Sequence, residues 1–180
     1  MRATVLALAA VLATAAPAAL AQGTPAPAAK EEYKGSFFKR STLLVSDIER
    51  SLKIYRDILG FRQDGGISEN SPTSYSYDVF NIDKSAKMRM AMLSAGDQQI
   101  RTLALTEVKG QKLVVPDSPR AAAVVINVKN IKDIMAKVSA MGLKTIPGRP
   151  SRTPEGITFQ EEAFVDPDGH LVVIYELNPK

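Results

Sequence analysis

The stretch FFKRSTLLVSDIERSLKIYRDILGF, residues 37–61, decides the fold. Its first nine residues, 37–45, alternate in polarity and predict a strand. Ser46-Asp47 then offers an N-cap for a helix. Ile48, Leu52, Tyr55 and Leu59 follow at helical spacing and make one apolar stripe. Gly60 closes the helix, since glycine turns left-handed at a helix end without steric cost. A second stretch, RAAAVVINVKNIKDIMAKVSAMGLKTI at residues 120–146, repeats the pattern. It reads as a strand, a cap at Asn130, a stripe of Ile131, Met135, Val138 and Met141, and a closing Gly142. A shift of 83 places sets Val45 on Val128, Ile48 on Ile131, Leu52 on Met135 and Tyr55 on Val138. Only the closing glycine slips, by one residue. The chain contains an internal repeat of a strand–helix unit.

Each unit continues into strand-like runs. In the first half they lie near 61–68, 74–82, 87–94 and 100–108. In the second they lie near 143–147, 157–165 and 170–177. VKGQKLVVPDSPR, residues 108–120, connects the halves. A helix followed by several strands, twice over, predicts an α+β fold with the helices on one face of each sheet.

The rest of the chain narrows the class. Met1-Arg2, an apolar run over Ala3–Ala16, Pro17 and Ala19-Leu20-Ala21 predict a secretory signal peptide over residues 1–21. The expectation is a periplasmic or secreted protein with no membrane contact once the signal is removed. Residues 22–34 contain GTPAPAAKEE, whose Pro/Ala alternation predicts a flexible linker. There is no cysteine, so stability rests on an apolar core and not on disulfides. The net charge is +4 with the basic residues scattered, which gives no footprint for nucleic acid. Gly65-Gly66 lacks the pattern of a phosphate-cradling loop. With His170 as the single histidine, no Ser–His–Asp arrangement can be assembled.

Two motifs carry a resemblance. LLVSDIERSLKIYRDILGF resembles the opening of a vicinal oxygen chelate (VOC) module, and FVDPDGHLVVIYEL resembles its close. That superfamily holds glyoxalases, extradiol dioxygenases and bleomycin-resistance proteins. The resemblance covers roughly residues 37–178 and implies two βαβββ modules, over 35–110 and 120–178. These would pair into one curved, cup-shaped mixed sheet with helices outside and a ligand inside. A homodimer is a further possibility in such paired modules. The insertion SYSYDVFNIDKSAKMRMAML, residues 74–93, is expected to line that cup or cover its edge.

The metal-dependent members of the family place a His or Gln on the first strand of each module and a Glu on the last. Residue by residue, those places fall on Arg40, Ala104, Ala123 and Val173. Arginine stays protonated and has no lone pair to give, and the other three side chains carry no donor atom. The resemblance therefore implies the cup without its metal, and no cofactor is expected. His170 is expected at the solvated rim.

Strand parity sets Arg40, Thr42 and Leu44 toward the cup, along with Ala123, Val125, Asn127, Val173 and Tyr175. Arg40, Thr42, Thr102, Asn127 and Tyr175 are the candidate ligand-binding residues. Arg40 reads as an anion clamp, as the partner of an internal acid such as Glu107 or Asp78, or as a side chain that reaches solvent at the strand start. The leading functional expectation is a module that holds a small organic molecule. The alternative is a glyoxalase- or dioxygenase-like enzyme, using a metal or oxyanion stabilisation by Arg40, with Glu107 or Tyr175 moving a proton.

Overall fold

In the computed structural model, which describes residues 38–115 and 119–179, each repeat folds into its own five-stranded sheet. The expected signal peptide and linker lie outside the described residues. The first sheet holds β1 (Ser41–Val45), β2 (Arg62–Gln63), β3 (Ser68–Asn70), β4 (Lys87–Ser94) and β5 (Leu103–Lys109). Its order is β1-β5-β4-β2, and β3 also pairs with β4. The second sheet holds β6 (Ala123–Asn127), β7 (Lys144–Ile146), β8 (Pro150–Arg152), β9 (Thr158–Val165) and β10 (Leu171–Leu177). Its order is β6-β10-β9-β7, with β8 on β9. In both sheets the first strand runs parallel to the last and the other pairs are antiparallel. The expected α+β fold of two repeated modules is what forms.

The parity of β1 and β6 decides where the core lies. Leu43 and Val45 of β1 are buried, as are Val172 and Ile174 of β10. Both sets turn to the helix side. There they join Ile48, Leu52, Tyr55, Ile131 and Val138 in one apolar core shared by the two modules. Burying each such large side chain stabilises the fold by about 1.5–3 kcal/mol.

The one-residue slip in the repeat has a structural cause. Helix α1 (Ile48–Leu52) starts at Asp47, whose carboxylate accepts the Arg50 N–H at 3.0 Å. It continues through Lys53–Ile58 as a π-helical stretch. Leu59 N–H reaches back to the Ile54 carbonyl at 2.9 Å, closing a five-residue turn. A π turn takes up one extra residue without breaking the helix. It also buries Ile54 beside Tyr55 and leaves Leu59 only partly buried, a departure from the 3.6-residue stripe. Helix α3 (Ile131–Ala140) has no such insertion and reaches its glycine one place sooner.

Residues 74–82, expected as a strand, form helix α2 (Tyr75–Val79) instead. Ser74 caps it by accepting the Ser76 N–H at 3.3 Å. Alternation over five residues fits one helical turn and a half as well as a strand, and burial decided between them. Tyr77 is fully buried against Ile82, Met88 and Val108, and its hydroxyl donates to the Ala86 carbonyl at 3.0 Å.

The closing strands repeat one device. In module 1, the Glu107 carboxylate accepts the Ile48 N–H at 3.0 Å; in module 2, Glu176 accepts the Ile131 N–H at 2.9 Å. Each glutamate thus satisfies a first-turn donor of its own module's helix. Asn130 occupies the expected cap position of α3, but its side chain makes no capping bond. Glu176 supplies it from across the sheet. Glu176→Ala is expected to lower stability by about 1 kcal/mol, the scale of a lost cap, read as a shift in the urea midpoint with unchanged m-value.

The turn Asp166–His170 ties the modules together. Asp166 accepts from Tyr55 Oη at 2.9 Å, from Asp168 N–H at 3.0 Å and from His170 N–H at 2.9 Å. Asp168 accepts from the Ser46 N–H at 2.9 Å and from Arg50 Nη2 at 3.3 Å. His170 Nε2 lies 2.8 Å from the Leu44 carbonyl, on the edge of β1 that no strand covers. A solvated rim position was expected for His170. It is instead half-buried and spans the two modules.

Candidate functional site

The face of each sheet opposite the core is the inner face of the expected cup. Register fixes what stands on it. Arg40, just before β1, and Ala104 of β5 lie diagonally across the β1–β5 pair, with Thr42 directly opposite Ala104. Ala123 of β6 and Val173 of β10 hold the same diagonal, with Ala123 opposite Leu171 and Val173 opposite Val125. The four places implied by the resemblance are thus equivalent by geometry as well as by count.

Those four side chains do not fit a divalent ion. One is a cation and three lack donor atoms. Nor do the closing-strand glutamates substitute for them. Glu107 and Glu176 lie three residues further on and point to the opposite face, where both bind helix N–H groups. Among the described residues no group of three or more His, Cys, Asp or Glu side chains is placed to hold a metal.

Glu107 was a candidate proton carrier and a candidate partner for Arg40. The structure brings it to neither. Its side chain is 2 % exposed, receives Arg89 Nε at 2.6 Å and has Lys109 Nζ at 3.4 Å. Burial alone would raise its carboxyl. The Arg89 hydrogen bond, the Ile48 N–H and the charges of Arg89 and Lys109 outweigh that and hold it below the usual carboxylate value. Asp78 pairs with Lys84 at 2.6 Å. Arg40 is exposed and donates from Nη1 to Met92 Sδ at 3.1 Å. Thioether sulfur is a weak acceptor.

The two halves of the inner face differ. In module 1, α2 and the loop after it lie over the sheet. Ala104 and Thr106 are fully buried, and Leu44 packs on the cluster around Tyr77. This bears out the expectation that residues 74–93 meet the inner face, with β4 as a strand and Tyr75–Val79 as a helix in place of the strand expected over 74–82. A groove of about 450 Å³ remains between α2 and β1, lined by Arg40, Thr42, Tyr75, Val79, Phe80 and Met92 among others. In module 2 no helix among the described residues covers the face. Val125 is 63 % exposed, Asn127 is exposed, and Tyr175 packs its ring on Phe159 with centroids 5.7 Å apart. Thr102 sits near the start of β5, donates to the Gln99 carbonyl at 3.2 Å, and lines a separate, wider cleft with Asn127.

Of the five candidate ligand-binding residues, Arg40 and Thr42 therefore share one groove, Thr102 and Asn127 share another, and Tyr175 belongs to the open half. Sequence reasoning gave no specific role to Met92 and read Asp166 and Asp168 only as turn residues. The D-P-D-G pattern signals the turn, but nothing local says which strand edge it will meet.

Comparison with known proteins agrees with this geometry. The model of the glyoxalase/bleomycin resistance protein/dioxygenase superfamily matches residues 38–174. No curated protein matches the sequence. Among solved structures, a glyoxalase family protein from Bacillus cereus superposes with a TM-score of 0.61 at 12% identity, covering 83% of this chain and 99% of that one. Leishmania major glyoxalase I, described as trypanothione-dependent, gives 0.51 at 19% identity, covering 79% of this chain and 87% of that one. At such identities the likeness concerns the fold alone. The repeated modules, their inward diagonals and the family match over most of the chain lead to one conclusion: this chain belongs to the glyoxalase/bleomycin resistance protein/dioxygenase superfamily.

Proposed function

We propose that this protein is an exported, metal-free member of the superfamily that holds a small organic molecule on its inner face. One observation carries the reading. The inner-face places where metal-dependent relatives put ligands bear Arg40, Ala104, Ala123 and Val173, while the nearby glutamates are committed to helix ends. A side-chain set of this kind cannot gather a divalent ion, but the remaining groove has the size and mixed character of a small-molecule site. An acid–base role for Glu107 there finds no support, because the carboxylate lies behind the sheet.

The test is metal content. The protein is incubated with zinc, manganese, iron and nickel, desalted, and measured by elemental analysis. The expected result is no metal retained in stoichiometric amount. Near-stoichiometric metal in the wild type, lost in a His170→Ala or Glu176→Ala variant, would overturn the metal-free reading.

A further inference from the structure

The groove between α2 and β1 is chemically lopsided. It carries one full charge, the Arg40 guanidinium, which among the described residues has no ion-pair partner and only the Met92 thioether as acceptor. Beside it stands Thr42, whose hydroxyl makes no hydrogen bond among those residues. The walls are apolar: Tyr75 is 79 % exposed and Val79 51 % exposed, and Phe80 and Met92 complete them. Exposed aromatic and aliphatic side chains here flank a single cation that no acidic side chain among the described residues pairs.

From this we infer that the groove selects a small monocarboxylate with an aromatic or branched apolar body. The inference rests on reading the inner face as a binding site and names its ligand class. A guanidinium presents a planar fork of donors that matches a carboxylate with two parallel hydrogen bonds. A dianion would call for a second cation, and among the described residues none lines the groove. Met92 turns its sulfur toward Arg40, and thioethers pack well on aromatic rings, so the sulfur that now occupies the guanidinium would contact the ligand body once the carboxylate replaces it. Thr42, directly across from buried Ala104, supplies a hydroxyl at the carboxylate end.

The experiment uses the full chain with isotope-labelled methionine methyls and three probes: phenylacetate, its neutral isostere phenylacetamide, and acetate. Phenylacetate is expected to move the methyl signals of Met92 and of Met90, which also lines the groove. Phenylacetamide on the wild type and phenylacetate on Arg40→Ala are each expected to bind roughly tenfold more weakly or worse, the scale of a lost charged hydrogen bond. Acetate is expected to be weaker than phenylacetate, since it leaves the walls unfilled. Arg40 is exposed, so its removal leaves the core intact. Equal binding of phenylacetate and phenylacetamide, unchanged in Arg40→Ala, overturns the carboxylate class and leaves the inner-face reading standing. No response of either methyl to any of the three overturns both.

Discussion

Asp166→Ala is expected to lower the stability of this protein by roughly 3 kcal/mol, or on the order of 10 °C in melting temperature. The carboxylate is buried and accepts three hydrogen bonds, two from its own turn and one from Tyr55 of the other module. Its removal strands the Tyr55 hydroxyl in the apolar core, where among the described residues that group has no other acceptor. Burial, reinforced by the neighbouring Asp166 and Asp168 charges, raises the Tyr55 phenol well above its ordinary value. An unsatisfied buried donor costs about 1–3 kcal/mol, and the loosened turn adds to it. Tyr55→Phe removes the donor instead and should cost about 1 kcal/mol or slightly more. In the double variant the two losses should fall short of additive, because the stranded hydroxyl no longer exists. Thermal and urea unfolding of the four proteins gives the coupling. Full additivity would show that Tyr55 and Asp166 do not act as an inter-module pair.

The second large effect lies where the β1–β5 pair ends, at Glu107 beside Val45. Glu107→Ala is expected to cost about 2 kcal/mol. Loss of one partner of a buried ion pair often costs more, but Arg89 is 37 % exposed and water can solvate it once the acid is gone. Glu107→Gln keeps an acceptor for the Ile48 N–H and should cost less. The two variants also separate by pH. The Glu107 carboxyl is held below its ordinary value of 4.5 in the folded protein. Its ionisation therefore contributes stability above about pH 4.5, and that contribution is lost as the pH falls through the lower folded value. The wild type should lead Glu107→Gln at neutral pH, with the gap closing in acid. Urea midpoints across a pH series measure it. A gap independent of pH would mean that the carboxylate acts by packing and not by charge.

Both of these residues were visible in the sequence without their roles. Glu107 stood three places from an expected ligand position, so parity alone turned it to the helix side. That it would meet the first N–H of α1 follows from where the parallel β1–β5 pair ends, with Val45 beside Glu107. The repeat hid a further clue: Glu176 stands at the same distance from Val173 as Glu107 from Ala104, and both do the same task. The slipped glycine was legible as a slip, whereas its absorption by a π turn depended on Ile54 and Tyr55 both finding room in the core. Residues 74–82 were misread because five alternating residues cannot separate a short helix from a strand without knowing what covers Tyr77.

The sequence by itself determined the repeated strand–helix units and the parity that turns Val45 and Ile174 to the helix side. These follow from local periodicity and side-chain chemistry, which need no partner to be read. The tertiary structure alone decided that α2 roofs one half of the inner face and leaves the other open. It also decided that Arg40 meets a thioether and, among the described residues, no carboxylate, and that the closing turn clamps the two modules. Each of those depends on side chains far apart in the chain arriving at one place, and no local pattern encodes that distance.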